Sequence, residues 1–272
     1  MTQDPHTPMS DPALVHDKGH VRTIVLNRPD KMNALSHALA WAIVTEVQKA
    51  AHDDNVWAIA LTGRGRAFCA GLDLSGPGED VSPLSGQERL MDDVSWVGRF
   101  ALVLRHECDK PVVVGLNGVA AGAGLSLAMA ADVRIMGRSA RLVAGYPRIG
   151  ASPDGGLTWT LPQAIGYEQA MRFLLENRTV DADEALRLGF VSEVAEDDAL
   201  EARLAEYCAQ LTERAPIAAR LTKRGIARAT AIDLEDHLRY ELANIRRAFA
   251  TEDAAEARKA FFEKRAPIFR GR

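Results

Sequence analysis

The chain has few cysteines and no long apolar run, and both shortages limit what it can be. Its 272 residues include three cysteines, Cys69, Cys108 and Cys208, which are odd in number and widely spaced. This pattern predicts neither a disulfide framework nor a zinc site, and it is typical of a reducing cytoplasm. No apolar stretch approaches the roughly 20 residues that a membrane span needs. We therefore expect a cytoplasmic protein without a metal site or a membrane anchor.

The chain also lacks a strong excess of charge. Its formal net charge is −4, which argues against general attraction to nucleic acid or to an anionic membrane. Hydrophobic residues make up 47% of the sequence, enough for a sizeable core. Basic residues are bunched locally, and a phosphorylated ligand needs one such cluster. The clusters are Arg64 with Arg66, the segment 220–228, and the segment 258–272.

Standard nucleotide-binding loops are missing. A dinucleotide fingerprint, G-x-G-x-x-G, fails after Gly63 because position 68 is Phe, and after Gly122 because position 127 is Leu. No G-x-x-x-x-G-K-[ST] loop is present. These observations disfavour nucleotide binding by the usual loops.

A serine hydrolase is also disfavoured. Ser126 stands in a degenerate nucleophile elbow, with alanine in place of the last glycine. The only histidine after it is His237, which falls inside an amphipathic helical pattern rather than in a loop after a strand. The elbow therefore lacks a well-placed base.

Short apolar strands alternate with helical patterns in the first part of the chain, which predicts an α/β fold with right-handed crossovers. One helix is expected from a Ser36 cap to about Ala51, and another from about residue 86, with Leu90, Val94, Val97, Ala101 and Leu104 on its apolar face. The predicted strands are Val21–Asn27, Val56–Thr62, Pro111–Leu116, Val133–Met136 and Leu142–Ala144.

The pattern becomes entirely helical from about residue 200. An amphipathic helix is predicted over the apolar positions Leu234, Leu238, Leu242, Ile245 and Phe249, and Thr251 is expected to cap a last helix that ends at Phe262. We expect a flexible leader (1–12), a core (13–200) and a C-terminal helical oligomerisation region (201–272). The apolar face of that region must pack on the core or on a neighbouring subunit.

Two glycine-rich turns follow strands, at residues 66–74 and 117–124. Small residues let a ligand approach the backbone, and the start of a helix presents unpaired N–H groups with a partial positive charge. Two such groups directed into one cavity would form an oxyanion hole. Taken alone, each turn is more typical of tight turning and close helix packing than of an oxyanion hole.

Together these segments resemble the enoyl-CoA hydratase/isomerase (crotonase) superfamily over roughly residues 14–270. The resemblance rests on NRPDKMNALS (27–36), GRAFCAGLDLS (65–75), KPVVVGLNGVAAGAGLSLAMAADVRI (110–135), PRIGASPDGGLTWTLPQAIG (147–166), ENRTVDADEALRLGFVSEV (176–194) and the C-terminal FFEKRAPIFRGR. It implies a spiral of ββα turns with a C-terminal helical trimerisation region, and a homotrimer or a dimer of trimers. It also implies acyl-CoA substrates, fatty acid metabolism as the setting, and no cofactor apart from the coenzyme A of the substrate.

The resemblance further assigns individual residues. The backbone N–H groups of Leu72 and Ala123 would form the oxyanion hole, although alanine stands at 123 where glycine is more usual. The coenzyme A site would include Lys31, Ala34, Ala70, Asp73, Leu74, Gly118 and Lys264.

The chain departs from the hydratase pattern at its two catalytic glutamates. These positions hold Ser126 and Tyr146, which cannot replace a carboxylate pair as general acid and base. Asp154 remains, at the position of the catalytic aspartate in certain isomerases and aryl-CoA dehalogenases of the family. Judged from its sequence neighbours alone, Asp154 is predicted to be a turn residue that caps a helix beginning near Gly155. The dehalogenase histidine position holds Arg99.

We therefore expect an enzyme that stabilises a thioester enolate and moves a proton with Asp154, with isomerisation favoured over hydration. The alternatives are an enoyl-CoA hydratase, as the family name suggests, and dehalogenase-like attack by Asp154. A further alternative, from another class, is a non-catalytic subunit that binds coenzyme A thioesters.

Overall fold

The computed structural model describes residues 11–76 and 78–272. The predicted leader, 1–12, lies outside these residues except for Asp11 and Pro12. Within them the chain forms ten strands and eleven α-helices. The strands are β1 (Ala13–Lys18), β2 (Val21–Leu26), β3 (Ala58–Gly63), β4 (Ala67–Cys69), β5 (Val112–Leu116), β6 (Val119–Ala121), β7 (Val133–Gly137), β8 (Leu142–Val143), β9 (Thr179–Val180) and β10 (Glu193–Ala195). The helices are α1 (His37–His52), α2 (Gly86–Met91), α3 (Ser95–Leu102), α4 (Ala123–Ala130), α5 (Leu157–Ile165), α6 (Tyr167–Leu175), α7 (Ala182–Leu188), α8 (Leu200–Thr212), α9 (Pro216–Arg228), α10 (Leu234–Phe249) and α11 (Glu252–Glu263).

The strands form two sheets, and the chain visits them in turn. The larger sheet has the order β1-β2-β3-β5-β7-β10 and the smaller has the order β4-β6-β8-β9. β3, β5 and β7 each contribute to the larger sheet, and the strand that follows each one, β4, β6 or β8, contributes to the smaller. Helices then carry the chain back to the larger sheet. The predicted α/β spiral of ββα turns is confirmed.

The central strands of the larger sheet are buried on both faces. In β5 the side chains of Val112, Val114 and Leu116 join the main core, while Val113 joins a second core on the opposite face. This alternation follows from the two-residue period of a strand. Because both faces are covered, β5 is apolar throughout, as expected for a parallel strand. All five predicted strands are present, with ends within two residues of the expected positions.

The first helix agrees with its sequence signals. The Ser36 side chain accepts a hydrogen bond from the Leu39 N–H at 3.3 Å and caps α1, as predicted. The predicted apolar face of this helix is buried against the larger sheet. The segment 28–36 therefore ends at a helix that is anchored in the core.

The single helix predicted from residue 86 is wrong, because two helices occupy this segment. Asp92 separates them: its carboxylate accepts from the N–H groups of Val94 and Ser95, both at 3.3 Å, and so forms a local turn. Ser95 takes a left-handed conformation, with φ of 58°. As a result Leu90 is 87% exposed instead of facing the core.

The C-terminal region is helical from Leu200, as predicted. α8 packs on the larger sheet, where Leu204 lies against Gly115 so closely that a Cβ there would be 2.7 Å from the leucine side chain. The predicted apolar face of α10 is exposed in the single chain, and Thr251 caps α11. The oligomerising role of residues 201–272 stays a prediction. No helix in the part of the chain that the structure describes is long and apolar enough to cross a membrane.

Candidate active site

The start of α4 is built from residues too small to keep neighbouring backbones apart. Gly122 joins β6 to α4 with φ of 51°, in the left-handed region that glycine favours. A Cβ on Gly124 would lie 2.3 Å from the carbonyl oxygen of Cys69, so only glycine fits there. As the first residue of α4, Ala123 has an N–H with no intrahelical partner.

The loop that carries Leu72 lies against this turn. Leu35 donates its N–H to the Gly71 carbonyl at 2.7 Å and accepts from the Asp73 N–H at 3.0 Å, so the N–H of Leu72 points away from Leu35. On the other side, a Cβ on Gly71 would lie 2.9 Å from the Ala121 carbonyl oxygen and 3.7 Å from the Ala123 nitrogen. The two predicted donor residues therefore belong to adjoining loops. Their joint role as an oxyanion hole stays a prediction.

Three polar side chains form a hydrogen-bonded chain beside α4. The Tyr146 hydroxyl donates to Oδ1 of Asp154 at 2.7 Å and lies 2.8 Å from the Ser126 hydroxyl. Ser126 lies on α4, three residues after Ala123, and Tyr146 precedes a short 3-10 helix that follows β8. Ser126 and Tyr146 are buried, and Asp154 is partly buried. Of the two residues that the resemblance places at the hydratase glutamate positions, Tyr146 contacts Asp154 directly and Ser126 contacts Tyr146.

The backbone next to Asp154 packs against α3 and α4. A Cβ on Gly155 would lie 2.7 Å from the Phe100 ring and 2.9 Å from the Ser126 Cβ, so this segment is tightly packed. Burial raises the pKa of Asp154 above that of an ordinary aspartate, although the hydrogen bond from Tyr146 opposes the shift. Burial also raises the pKa of Tyr146, which therefore stays neutral and acts as a donor. A carboxyl group of this kind can both accept and return a proton.

Asp154 does not cap a helix, so the capping interpretation is wrong. α5 begins at Leu157, and its N-cap residue is Gly156, which has no side chain. Asp154 contributes only its backbone carbonyl to this turn, accepting from the Leu157 N–H at 3.1 Å. Its carboxylate is therefore free of a structural capping task.

Five of the predicted coenzyme A residues lie on two segments that are joined to each other. Arg28 forms an ion pair with Asp73 at 2.8 Å and also donates to the Ala34 carbonyl, while Ala70 donates its N–H to Met32 at 3.0 Å. Hydrogen bonds from the Ser75 hydroxyl and from Arg28 lower the pKa of Asp73 to about 2. Of these five predicted residues, Lys31 and Leu74 are exposed.

Gly118 and Lys264 are placed differently. A Cβ on Gly118 would lie 2.2 Å from the Arg66 carbonyl oxygen, so this buried glycine permits two backbones to touch. Lys264 follows α11 in a left-handed conformation, with φ of 53°. Among the described residues, no hydrogen bond or ion pair joins Lys264 to the segments 28–35 and 70–75. The role of Lys264 in the coenzyme A site stays a prediction.

Two further side chains bear on the candidate chemistry. Cys69 is buried and its pKa is raised to about 12 by burial, so it is a packing residue and not a nucleophile. Arg99, at the dehalogenase histidine position, binds Asp92 at 2.6 Å and lies over the Trp41 ring. Within residues 11–76 and 78–272, no group of three or more His, Cys, Asp and Glu side chains could hold a metal ion.

Known proteins match this chain along nearly all of its length. The family described as enoyl-CoA hydratase/isomerase matches residues 16–272. A probable enoyl-CoA hydratase of Mycobacterium tuberculosis is 37% identical over 84% of this chain and 87% of its own. The 1,2-epoxyphenylacetyl-CoA isomerase of Escherichia coli is 32% identical over 95% of this chain and 98% of its own. The crystal structure of an enoyl-CoA hydratase from Bacillus anthracis has a TM-score of 0.84 at 30% identity, covering 96% of this chain and all of the other.

Proposed function

The chain belongs to the enoyl-CoA hydratase/isomerase family, and from that premise we propose that it moves a proton on an acyl-CoA thioester with Asp154 as acid and base. This proposal rests on the partly buried Asp154 carboxyl group, which accepts a hydrogen bond from Tyr146, and Tyr146 in turn contacts Ser126 on α4. A raised pKa suits a group that must take up a proton and release it again.

The proposed reaction is a double-bond isomerisation. Asp154 removes a proton from a carbon of the acyl group, and the electron pair moves through the conjugated system onto the thioester oxygen. The N–H groups of Leu72 and Ala123 stabilise that negative charge, and each such donor can contribute about 3 kcal/mol in a preorganised site. The protonated Asp154 then returns the proton to a different carbon. Protons and charge balance without any further reactant.

The missing glutamates support isomerisation over hydration. Hydration requires one group to activate water and another to protonate carbon, whereas the positions concerned hold the neutral hydroxyls of Ser126 and Tyr146. One relative, from E. coli, is named a 1,2-epoxyphenylacetyl-CoA isomerase, which is consistent with isomerase chemistry in the family although its named substrate is an epoxide.

Hydration is the second candidate, because other relatives are named hydratases. It requires Asp154 alone to serve both water and carbon. Measuring hydration of crotonyl-CoA tests this candidate directly.

A panel of acyl-CoA thioesters, followed by mass spectrometry and NMR, tests the proposed function. We expect at least one enoyl thioester to change its double-bond position without a change in mass. A gain of 18 mass units would indicate hydration, and a covalent adduct on Asp154 would indicate nucleophilic attack. Binding of thioesters without turnover of any of them would indicate a non-catalytic subunit.

A further inference from the structure

The Tyr146 hydroxyl has two polar neighbours and a single proton. Oδ1 of Asp154 lies at 2.7 Å and the Ser126 hydroxyl at 2.8 Å, and both Ser126 and Tyr146 are buried. An ionised carboxylate can only accept hydrogen bonds, so Tyr146 must donate to Asp154 while that group is charged. The Tyr146 oxygen is then left as an acceptor.

Ser126 supplies the matching donor. Its hydroxyl has two acceptors within reach, the Tyr146 oxygen at 2.8 Å and the Gly122 carbonyl oxygen at 3.3 Å. The shorter contact and the free lone pair of Tyr146 favour donation towards the tyrosine. Ser126 therefore donates to Tyr146, and Tyr146 donates to Asp154. Each hydrogen bond in such a chain polarises and strengthens the next one.

We propose that Tyr146, oriented by Ser126, is the positioning residue that holds Oδ1 of Asp154 and leaves Oδ2 to exchange the proton with the substrate. This inference rests on the proposed function. Under this proposal, Ser126 and Tyr146, at the two hydratase glutamate positions, together orient the Asp154 carboxylate instead of supplying two carboxylates. Neither hydroxyl gains or loses a proton during the reaction.

Within the part of the chain that the structure describes, no charged group acts on Asp154 in place of Tyr146. The next residue, Gly155, packs against Ser126 of α4 and Phe100 of α3, and neither side chain is charged. Arg99 on α3 binds Asp92, and Arg148 in the 3-10 helix after Tyr146 is exposed. Among the described residues, Tyr146 is the only side chain that donates to the Asp154 carboxylate. Its removal therefore leaves the partly buried carboxylate without a side-chain donor.

Loss of the Tyr146 hydroxyl should raise the pH below which the enzyme loses activity. The hydrogen bond from Tyr146 lowers the pKa of Asp154, whereas burial raises it. Removing the hydroxyl therefore raises the pKa further. Asp154 acts as a base only when ionised, so activity is lost as the pH falls through its pKa, and a higher pKa moves this loss to higher pH.

The variant Tyr146→Phe tests the inference, with Tyr167→Phe as a matched control because Tyr167 is 73% exposed on α6. Carbon-13 NMR of protein labelled at aspartate carboxyls follows the titration of Asp154, whose signal is identified by its absence from Asp154→Asn. In Tyr146→Phe we expect the midpoint to rise by about one pH unit, as for the loss of one hydrogen bond to a charged group. The acid limb of kcat/KM should move by the same amount, with kcat about tenfold lower and KM within about threefold.

Ser126→Ala provides a second test that leaves the tyrosine in place. We expect the same direction with a smaller shift, because the Tyr146 hydroxyl then loses its orienting donor. Unchanged Asp154 titration and an unchanged acid limb in Tyr146→Phe would overturn the inference. The titration needs no substrate, so it tests the positioning role of Tyr146 independently of the proposed function. The proposed function itself fails if Asp154→Asn turns over acyl-CoA thioesters at the wild-type rate.

Discussion

At the scale of single residues, the candidate site depends on Ser126 and Tyr146, which the family resemblance places at the hydratase glutamate positions. Ser126 is fully buried and Tyr146 is 4% exposed, so neither position has room for bulk water to take the place of a lost carboxylate. Both hydroxyls have ordinary pKa values far above neutrality, and burial raises that of Tyr146 further. The acid–base capacity of this cluster therefore lies in Asp154.

This arrangement predicts slow hydration of crotonyl-CoA. With one carboxylate in place of two, we expect kcat/KM below roughly 10⁴ M⁻¹s⁻¹ in a spectrophotometric assay. Binding of crotonyl-CoA, measured separately by calorimetry, distinguishes a missing acid–base pair from a missing ligand site. A wild-type rate above that value would contradict the inference that efficient hydration needs glutamates at positions 126 and 146.

Glutamate at both Ser126 and Tyr146 is the corresponding gain-of-function variant. We expect at most a partial rise in hydration, because Ser126 packs within 2.9 Å of a Cβ placed on Gly155 and a larger side chain overpacks this point. Its unfolding temperature, compared with wild type, reports the strain directly.

At the scale of elements, local signals predicted the regular parts of the fold. The Ser36 cap and the apolar spacing of α1, and the Thr251 cap of α11, each depend on neighbours within a few residues. The glycine turn before α4 was also predictable, because only small residues permit that approach of backbones. The break at Asp92 was missed because apolar spacing continued across it, while a side-chain hydrogen bond ended the first helix.

The chain of Ser126, Tyr146 and Asp154 could not be predicted in the same way. These residues come from α4, from the segment after β8 and from the loop before α5, so their contact depends on how three elements pack. Sequence spacing indicated Asp154 only through the family resemblance, and it gave no signal that Tyr146 would bind it. The ion pair of Arg28 with Asp73 was missed for the same reason, since 45 residues separate the two in sequence.

The end of α11 carries a prediction about the coenzyme A site. If Lys264 contacts the phosphates of the ligand, Lys264→Glu should weaken binding of acyl-CoA by about fivefold or more, since an exposed attraction becomes a repulsion. Lys259→Glu, also exposed on α11, is the matched control, and calorimetry with a non-reactive acyl-CoA analogue is the measurement. Equal affinities in the two variants would remove Lys264 from the site.

At the scale of the whole molecule, the exposed face of α10 requires an explanation. Its five apolar side chains are between 46% and 73% exposed in the single chain, and Phe261 and Phe262 add about 80% exposure each nearby in sequence. Exposed apolar surface of this extent is typical of a subunit interface. We therefore expect a homotrimer or a dimer of trimers.

Light scattering at micromolar concentration tests this expectation. The wild-type mass should be three or six times the 29.6 kDa of one chain. Leu242→Asp should shift it towards one chain, whereas Leu186→Asp should not, although Leu186 on α7 is exposed to a similar degree. A wild-type protein of 29.6 kDa would contradict the prediction.

The most direct test of the central claim is the turnover of an acyl-CoA substrate by Asp154→Asn, with Asp198→Asn as an exposed control. Asparagine keeps the shape of the side chain and still accepts from Tyr146, but it cannot take up the substrate proton. We predict that kcat falls at least about 100-fold, while substrate affinity stays within a few-fold and the unfolding temperature stays close to that of wild type. An Asp154→Asn enzyme with the activity of wild type would contradict the account, because Asp154 would then not be its acid and base.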